Sequence, residues 1–237
     1  MTEREDIHLV VRRGDAEGVE KLLLISPQLL NKPRQRDGWT PLMVAVEADN
    51  ADMIAQLLAY KPRLSAAAKK TDWTAVHTAA NLGADAALCA LADACVDEQD
   101  AALELSRPAA GGMTPLMVAC VAGHASTVRL LVESYGATIV GCNDIGDTPL
   151  HLAAFWGQMD VAAYLLGGVD ATPSSVVRVD VRKPNAQGNH PAHRAAVRGH
   201  SAICNLLMLR GGNMLAINAE GLTPIDVSPT DTIKGFS

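Results

Sequence analysis

The chain has 237 residues, with 20 Lys and Arg against 26 Asp and Glu and a formal net charge of −6, a balance that argues against nucleic acid as its principal partner. Apolar residues make up 49% of it and aromatic residues only 3%, which fits thin helical layers packed with Ala, Leu and Val. No apolar run reaches membrane-spanning length, and the charged start Met1-Thr2-Glu3-Arg4-Glu5-Asp6 reads as neither a signal nor a transit peptide, so the expected location is the cytosol or the nucleus. Five cysteines, odd in number and without paired spacing, argue against a disulfide framework.

The first predicted element is a helix over Ile7-His8-Leu9-Val10, ended by Gly14. A recurring block then starts each further pair of helices: Thr40-Pro41-Leu42-Met43, Thr74-Ala75-Val76-His77, Thr114-Pro115-Leu116-Met117, Thr148-Pro149-Leu150-His151, His190-Pro191-Ala192-His193 and Thr223-Pro224-Ile225-Asp226. The spacings are 34, 40, 34, 42 and 33 residues, so two intervals carry insertions. A Thr hydroxyl accepts from a free N–H of the first helical turn, and Pro fits the first helical position because its missing donor is not needed there. Seven residues after the Leu position stands a chain-reversing residue, Gly83, Gly123, Gly157 or Gly199, with Asp49 in the second repeat. Apolar residues return five, eight and nine residues after that stop: Val19, Leu22 and Leu23; Ile54, Leu57 and Leu58; Leu88 and Leu91; Val128, Leu131 and Val132; Ala162, Leu165 and Leu166; Cys204, Leu207 and Met208. That spacing predicts the buried face of a second helix.

These blocks and stops resemble the ankyrin-repeat family from about Asp6 to Val227. The resemblance implies an all-α fold with short β-hairpin fingers, an ankyrin-repeat α-solenoid of helix-turn-helix repeats stacked in a curved array. It implies one domain over residues 1–237, with repeats at about 5–34, 35–68, 69–108, 109–142, 143–184, 185–217 and a truncated cap at 218–237, where Pro229 would disrupt a further helix. It also implies a non-catalytic protein-protein interaction module: a scaffold, inhibitor or assembly factor, monomeric by itself, without cofactor or metal. The alternative of a structural subunit in a large cytoskeletal or organellar assembly stays open.

In this family the concave face is lined by the finger tips, just before the Thr of the block, and by the two residues before the helix-ending Gly. Those positions hold Trp39, Trp73 and Met113 before three blocks, Phe155 and Trp156 before Gly157, and Arg198 before Gly199. Arg12, Arg13, Arg36 and Lys70 lie around the first Trp pair. Tryptophan and arginine are the types enriched at binding hot spots, so these ten residues are the candidate partner contacts. The expected partner is another protein offering an acidic or amphipathic segment.

Six of the seven histidines are accounted for by the repeat: His8, His77, His151 and His193 in the block, His124 and His200 after a helix-ending Gly. His190 stands where a capping Thr is expected, and His190, His193 and His200 form the one arrangement that a metal or enzymatic reading can use. No nucleophile elbow, phosphate loop or zinc-type Cys pair is present. Cys120 and Cys204 read as small buried hydrophobes, and Cys95 and Cys142 lie near loops. In the insertions, Asp97 to Leu105 suggests an acidic helical elongation, and the alternation over Ser174 to Val181 suggests a lengthened hairpin.

Overall fold

The computed structural model describes residues 6–95, 97–167 and 179–229. The chain divides after Ala110 into two compact units. The first contains α1 (Ile7–Arg13), α2 (Ala16–Ile25), a 3-10 turn (Pro27–Asn31), α3 (Pro41–Glu47), α4 (Ala51–Ala59), α5 (Ala75–Leu82), α6 (Asp85–Asp93) and α7 (Glu98–Ser106). The second contains α8 (Pro115–Ala122), α9 (Ala125–Glu133), α10 (Pro149–Trp156), α11 (Met159–Leu165), α12 (Pro191–Ala196) and α13 (Ser201–Leu209). Within each unit the first helices of successive pairs stack on one another, α1 on α3 on α5 and α8 on α10 on α12, and each packs on its own second helix. This is the helix-pair stacking of an α-solenoid.

Helices of two turns are too short to persist alone in water, so their stability comes from packing. The first helices are accordingly buried nearly all round: every residue from Pro41 to Val46, from Pro115 to Cys120 and from Pro149 to Ala154. Their starts are fixed as the sequence predicts. Thr40 Oγ1 accepts from the Met43 N–H at 3.3 Å, Thr114 from Met117 at 3.3 Å and Thr148 from His151 at 3.4 Å. Their ends turn through left-handed residues, with Asp49 taking φ 49° where the other repeats use glycine.

On α2 the predicted Val19 and Leu23 are buried and Leu22 is half-buried, whereas on the later second helices the buried stripe is turned back by a fraction of a turn from the predicted one. It runs through Met53, Ile54 and Leu57; Ala87, Leu88 and Leu91; Thr127, Val128 and Leu131; Val161, Ala162 and Leu165; Ile203, Cys204 and Leu207. Met208, assigned to the core, is exposed, and Leu58, Val132 and Leu166 are half-buried. Each second helix packs on its own first helix, and α4 packs also on α6, and α11 on α9 and α13. The stripe is centred between those two contacts.

The fingers are turns rather than strand pairs: among the described residues no strand occurs, and Ala109 and Met113 are isolated bridge residues. Each late finger is closed by a backbone bond, Asn143 N–H to Asp147 O at 3.0 Å, Asn185 to Asn189 at 2.9 Å and Asn218 to Leu222 at 2.9 Å, with a second inside it from the N–H of Gly146, Gly188 or Gly221 to the Asn carbonyl. The same asparagines fold their side chains back, so that Asn185 Oδ1 accepts from the N–H groups of Gln187 and Asn189, both at 2.9 Å. Neighbouring fingers share a single backbone bond, for example Lys69 N–H to Asp37 O, Ala186 N–H to Ile145 O and Ala219 N–H to Gln187 O. One bond per neighbour is too sparse for a strand ladder. It is also close: a Cβ at Gly146, whose φ is +79°, would lie 2.6 Å from Ala186 N.

The acidic insertion is the helix α7, which packs on α6 and buries Leu105. The alternating stretch expected at Ser174 to Val181 lies for the most part outside the described residues.

Candidate partner-binding surface

The block histidines act as struts. His77, His151 and His193 each accept, through Nδ1, the backbone N–H of the residue that starts the block, at 3.3, 3.2 and 3.1 Å. With Nδ1 an acceptor, Nε2 carries the proton. It donates to the carbonyl just before the next block, from His151 to Asn189 O and from His193 to Leu222 O, both at 3.0 Å. His8 reaches the equivalent carbonyl of Trp39 at 3.1 Å. Burial pushes the His151 pKa down to about 4 and moves His193 and His190 in the same direction.

This wiring answers the proposed histidine trio. Both ring nitrogens of His193 have protein partners, and His200 Nε2 donates to Phe155 O at 3.2 Å. Among the described residues no group of three or more His, Cys, Asp or Glu is placed to hold a metal ion. His190 makes no side-chain cap, and its buried Nδ1 has no hydrogen-bond partner.

In the first unit the candidate contacts fall into two sets. Trp39 is half-buried beneath the Arg34 guanidinium, 5.4 Å from the ring centre. Arg34 is held in turn by a two-pronged bond to Asp37 at 3.0 and 2.6 Å, which lowers the Asp37 pKa and raises that of Arg34. Arg36 also meets Asp37, at 3.3 Å, and Arg12 meets Glu47 at 3.3 Å, so part of the expected positive charge is already paired. Arg13 and Lys70 are exposed and form no ion pair among the described residues. Trp73 is half-buried, and its ring makes no aromatic or cationic contact among the described residues. Trp39 and Trp73 hold equivalent positions without touching ring to ring.

In the second unit the position before the block is used by the fold. The Asn143 amide donates to Met113 Sδ at 3.6 Å, Asn185 Nδ2 to Asp147 Oδ1 at 2.7 Å and Asn218 Nδ2 to Asn189 Oδ1 at 2.9 Å. Met113 is thereby engaged with the next finger. Asp147 is fully buried and also takes Arg194 Nη2 at 2.5 Å, the Arg194 side chain being 18% exposed. The Arg194 guanidinium lies 4.4 Å from the Phe155 ring centre, and Arg198 lies at the same distance from that ring. Phe155 is therefore packed against two cations, and Trp156 meets it edge-on at 5.5 Å. Trp156 is 50% exposed, beside exposed Arg198 at 5.7 Å.

Sequence reasoning missed Asp147 and Arg194 as a pair. The signal was present: Asp147 stands where other repeats have Trp39, Trp73 and Met113, and Arg194 where they have Val44, Thr78, Val118 and Leu152. Opposite charges at two anomalous positions of successive repeats mark an inter-repeat contact. The cysteines carry no comparable feature. Cys120 and Cys204 are buried, and burial raises both thiols, that of Cys204 to about 11.

Comparison with known proteins places these features in a family. The profile for ankyrin repeats matches in three copies over residues 7–100 and 91–175. Human "SH3 and multiple ankyrin repeat domains protein 2" is 27% identical over 81% of this chain and 10% of its own length. The rat "Nuclear factor NF-kappa-B p105 subunit" is 34% identical over 49% of this chain and 12% of its own. A Caenorhabditis elegans "Transient receptor potential cation channel subfamily A member 1 homolog" is 30% identical over 48% and 9%. The chain thus spans about a tenth of the length of each of these relatives. The solved ankyrin repeat domain of Bcl-3 superposes with a TM-score of 0.75 at 24% identity, over 99% of this chain and 98% of that one. With its capped blocks, histidine struts and glycine-ended helices, the chain belongs to the ankyrin-repeat family, a general protein-protein interaction module.

Proposed function

We propose that the protein is a non-catalytic binding subunit, a scaffold, inhibitor or assembly factor, that grips another protein with its fingers and first-helix ends. The observation that carries this reading is the state of Trp156 and Arg198. Both are exposed large side chains at the two-residue step before a helix-ending glycine, where the turn constrains the backbone and leaves the side chain to other uses. In the first unit Arg13, Arg36 and Lys70 are exposed, and Trp39 and Trp73, at equivalent positions before successive blocks, are half-buried. Large apolar and guanidinium groups at such sites are the residue types that dominate binding energy at interfaces.

The test is co-purification from native extract of the tagged wild-type chain beside Trp39→Ala/Trp73→Ala and beside Trp156→Ala, each checked for helicity. One set of proteins that accompanies wild type and is lost from either folded variant identifies the surface and the partner together. The same proteins recovered with all three forms would move the partner to the second helices or the insertions.

A further inference from the structure

We infer that Arg198 and Trp156 form a carboxylate anchor that takes an Asp or Glu side chain of the partner protein, flanked by an apolar residue laid against the indole. This deepens the binding reading above and rests on it.

The argument begins with what holds each guanidinium. Two arginines approach Phe155 at 4.4 Å, but their charges are in different states. Arg194 is neutralised by Asp147 at 2.5 Å, with that carboxylate fully buried and also bonded to Asn185. Arg198 has no ion pair and no side-chain hydrogen bond among the described residues, and the rings of Phe155 and Trp156 are its contacts. The two rings attract the guanidinium through their faces and offer its N–H groups no oxygen or nitrogen acceptor. Arg198 is therefore a cation, held against two rings, whose fork of donors has no acceptor among the described residues.

That state selects the ligand. A planar fork matches a carboxylate through two parallel bonds. Side-chain ordering is a recurrent cost of association, and contact with Phe155 and Trp156 lowers it for this arginine. Phosphate recognition by proteins ordinarily draws on a cluster of arginines, and here the second arginine is consumed by Asp147, so one net positive charge remains to meet one negative charge. The surroundings are open rather than enclosed: Trp156 is 50% exposed and Val197, adjacent to Arg198, is 41% exposed. An open apolar border suits a side chain presented by another protein. The chain as a whole is acidic at −6, so the anchor is a local inversion of sign and confers selectivity rather than general attraction.

The experiment uses the full chain and three degenerate peptide libraries of equal length and apolar composition, whose central residue is Glu, Gln or phosphoserine. Binding is read by fluorescence anisotropy against wild type, Arg198→Gln, Arg198→Lys and Trp156→Ala, each confirmed folded by circular dichroism. The Glu library is expected to bind wild type about tenfold more tightly than the Gln library, as the loss of a charge-assisted pair implies. Arg198→Gln abolishes that preference, and Arg198→Lys, which keeps charge without the planar fork, retains only part of it. Trp156→Ala weakens the Glu and Gln libraries alike. Equal binding of Glu and Gln libraries, or a preference unchanged in Arg198→Gln, overturns the anchor and leaves the partner-binding reading standing. Binding of the phosphoserine library alone overturns the assignment to a carboxylate. Failure of wild type to bind any library overturns both the anchor and the reading beneath it.

Discussion

Arg194 and Asp147 meet at 2.5 Å across two successive repeats, with the carboxylate wholly buried and the guanidinium nearly so. The pair sits where other repeats of this chain place uncharged groups, and a carboxylate left alone there has no solvent to turn to. Removing one partner of such a pair typically costs about 3 to 5 kcal/mol.

Asp147→Ala should therefore lower the stability of the chain by about 3 kcal/mol in urea unfolding. Arg194→Leu added to it should recover more than half of the loss, because Leu152, Val118 and Val44 fill the equivalent positions of other repeats. A cost under about 1 kcal/mol for the single change, the usual size for an exposed ion pair, would mean that the pair is hydrated.

The buried histidines predict an acid limit. The folded pKa of His151 is about 4 against an ordinary value of 6.5, so between those values the unfolded chain binds more protons than the folded one. Stability then rises with pH across that window. It is fully present above about pH 6.5 and is lost as pH falls toward 4, with His193 and His190 displaced in the same direction. Thermal melting from pH 7 to 4.5 should show the decline, and His151→Gln should flatten it. Parallel slopes for the two proteins would exclude His151 as a source.

His190→Thr should stabilise the chain by about 1 kcal/mol, the usual worth of a helix N-cap. Threonine starts all five other blocks with a hydroxyl bond to the first turn or to its histidine, and it removes the unpartnered Nδ1. Chemical denaturation of the single variant decides the matter; a lowered midpoint would show that the imidazole ring packs better than it caps.

Trp39 and Trp73 should separate on truncation. Trp39→Ala removes the ring beneath Arg34 and costs about 1 to 2 kcal/mol through lost packing and cation–π attraction. Trp73→Ala, whose ring makes no such contact among the described residues, should leave the melting temperature close to wild type. Equal losses would place both rings in the scaffold.

The repeat was legible because each of its marks has a local cause. Thr at a helix start, Pro one residue later and a left-handed residue at the end act within one turn of chain, and Asp49 shows that the conformation persists where the preferred glycine is absent. What depends on neighbours was harder to read. Met208 has the right spacing for the core and is exposed, because two packing partners set the buried stripe. Met113 and Asp147 share a position with Trp39, yet the Asn side chains of the next fingers hold them. Those asparagines recur as Asn143, Asn185 and Asn218, each three residues before a glycine, a pattern visible only once its backbone bonds are known.

The histidine struts end on backbone carbonyls, those of Trp39, Asn189 and Leu222. A carbonyl is common to every amino acid, so a substitution at these three positions changes the surface without cutting the tie beneath it. The strut is thus carried by main-chain atoms, so the side chains at these positions can be exchanged one at a time while that tie between repeats stays in place.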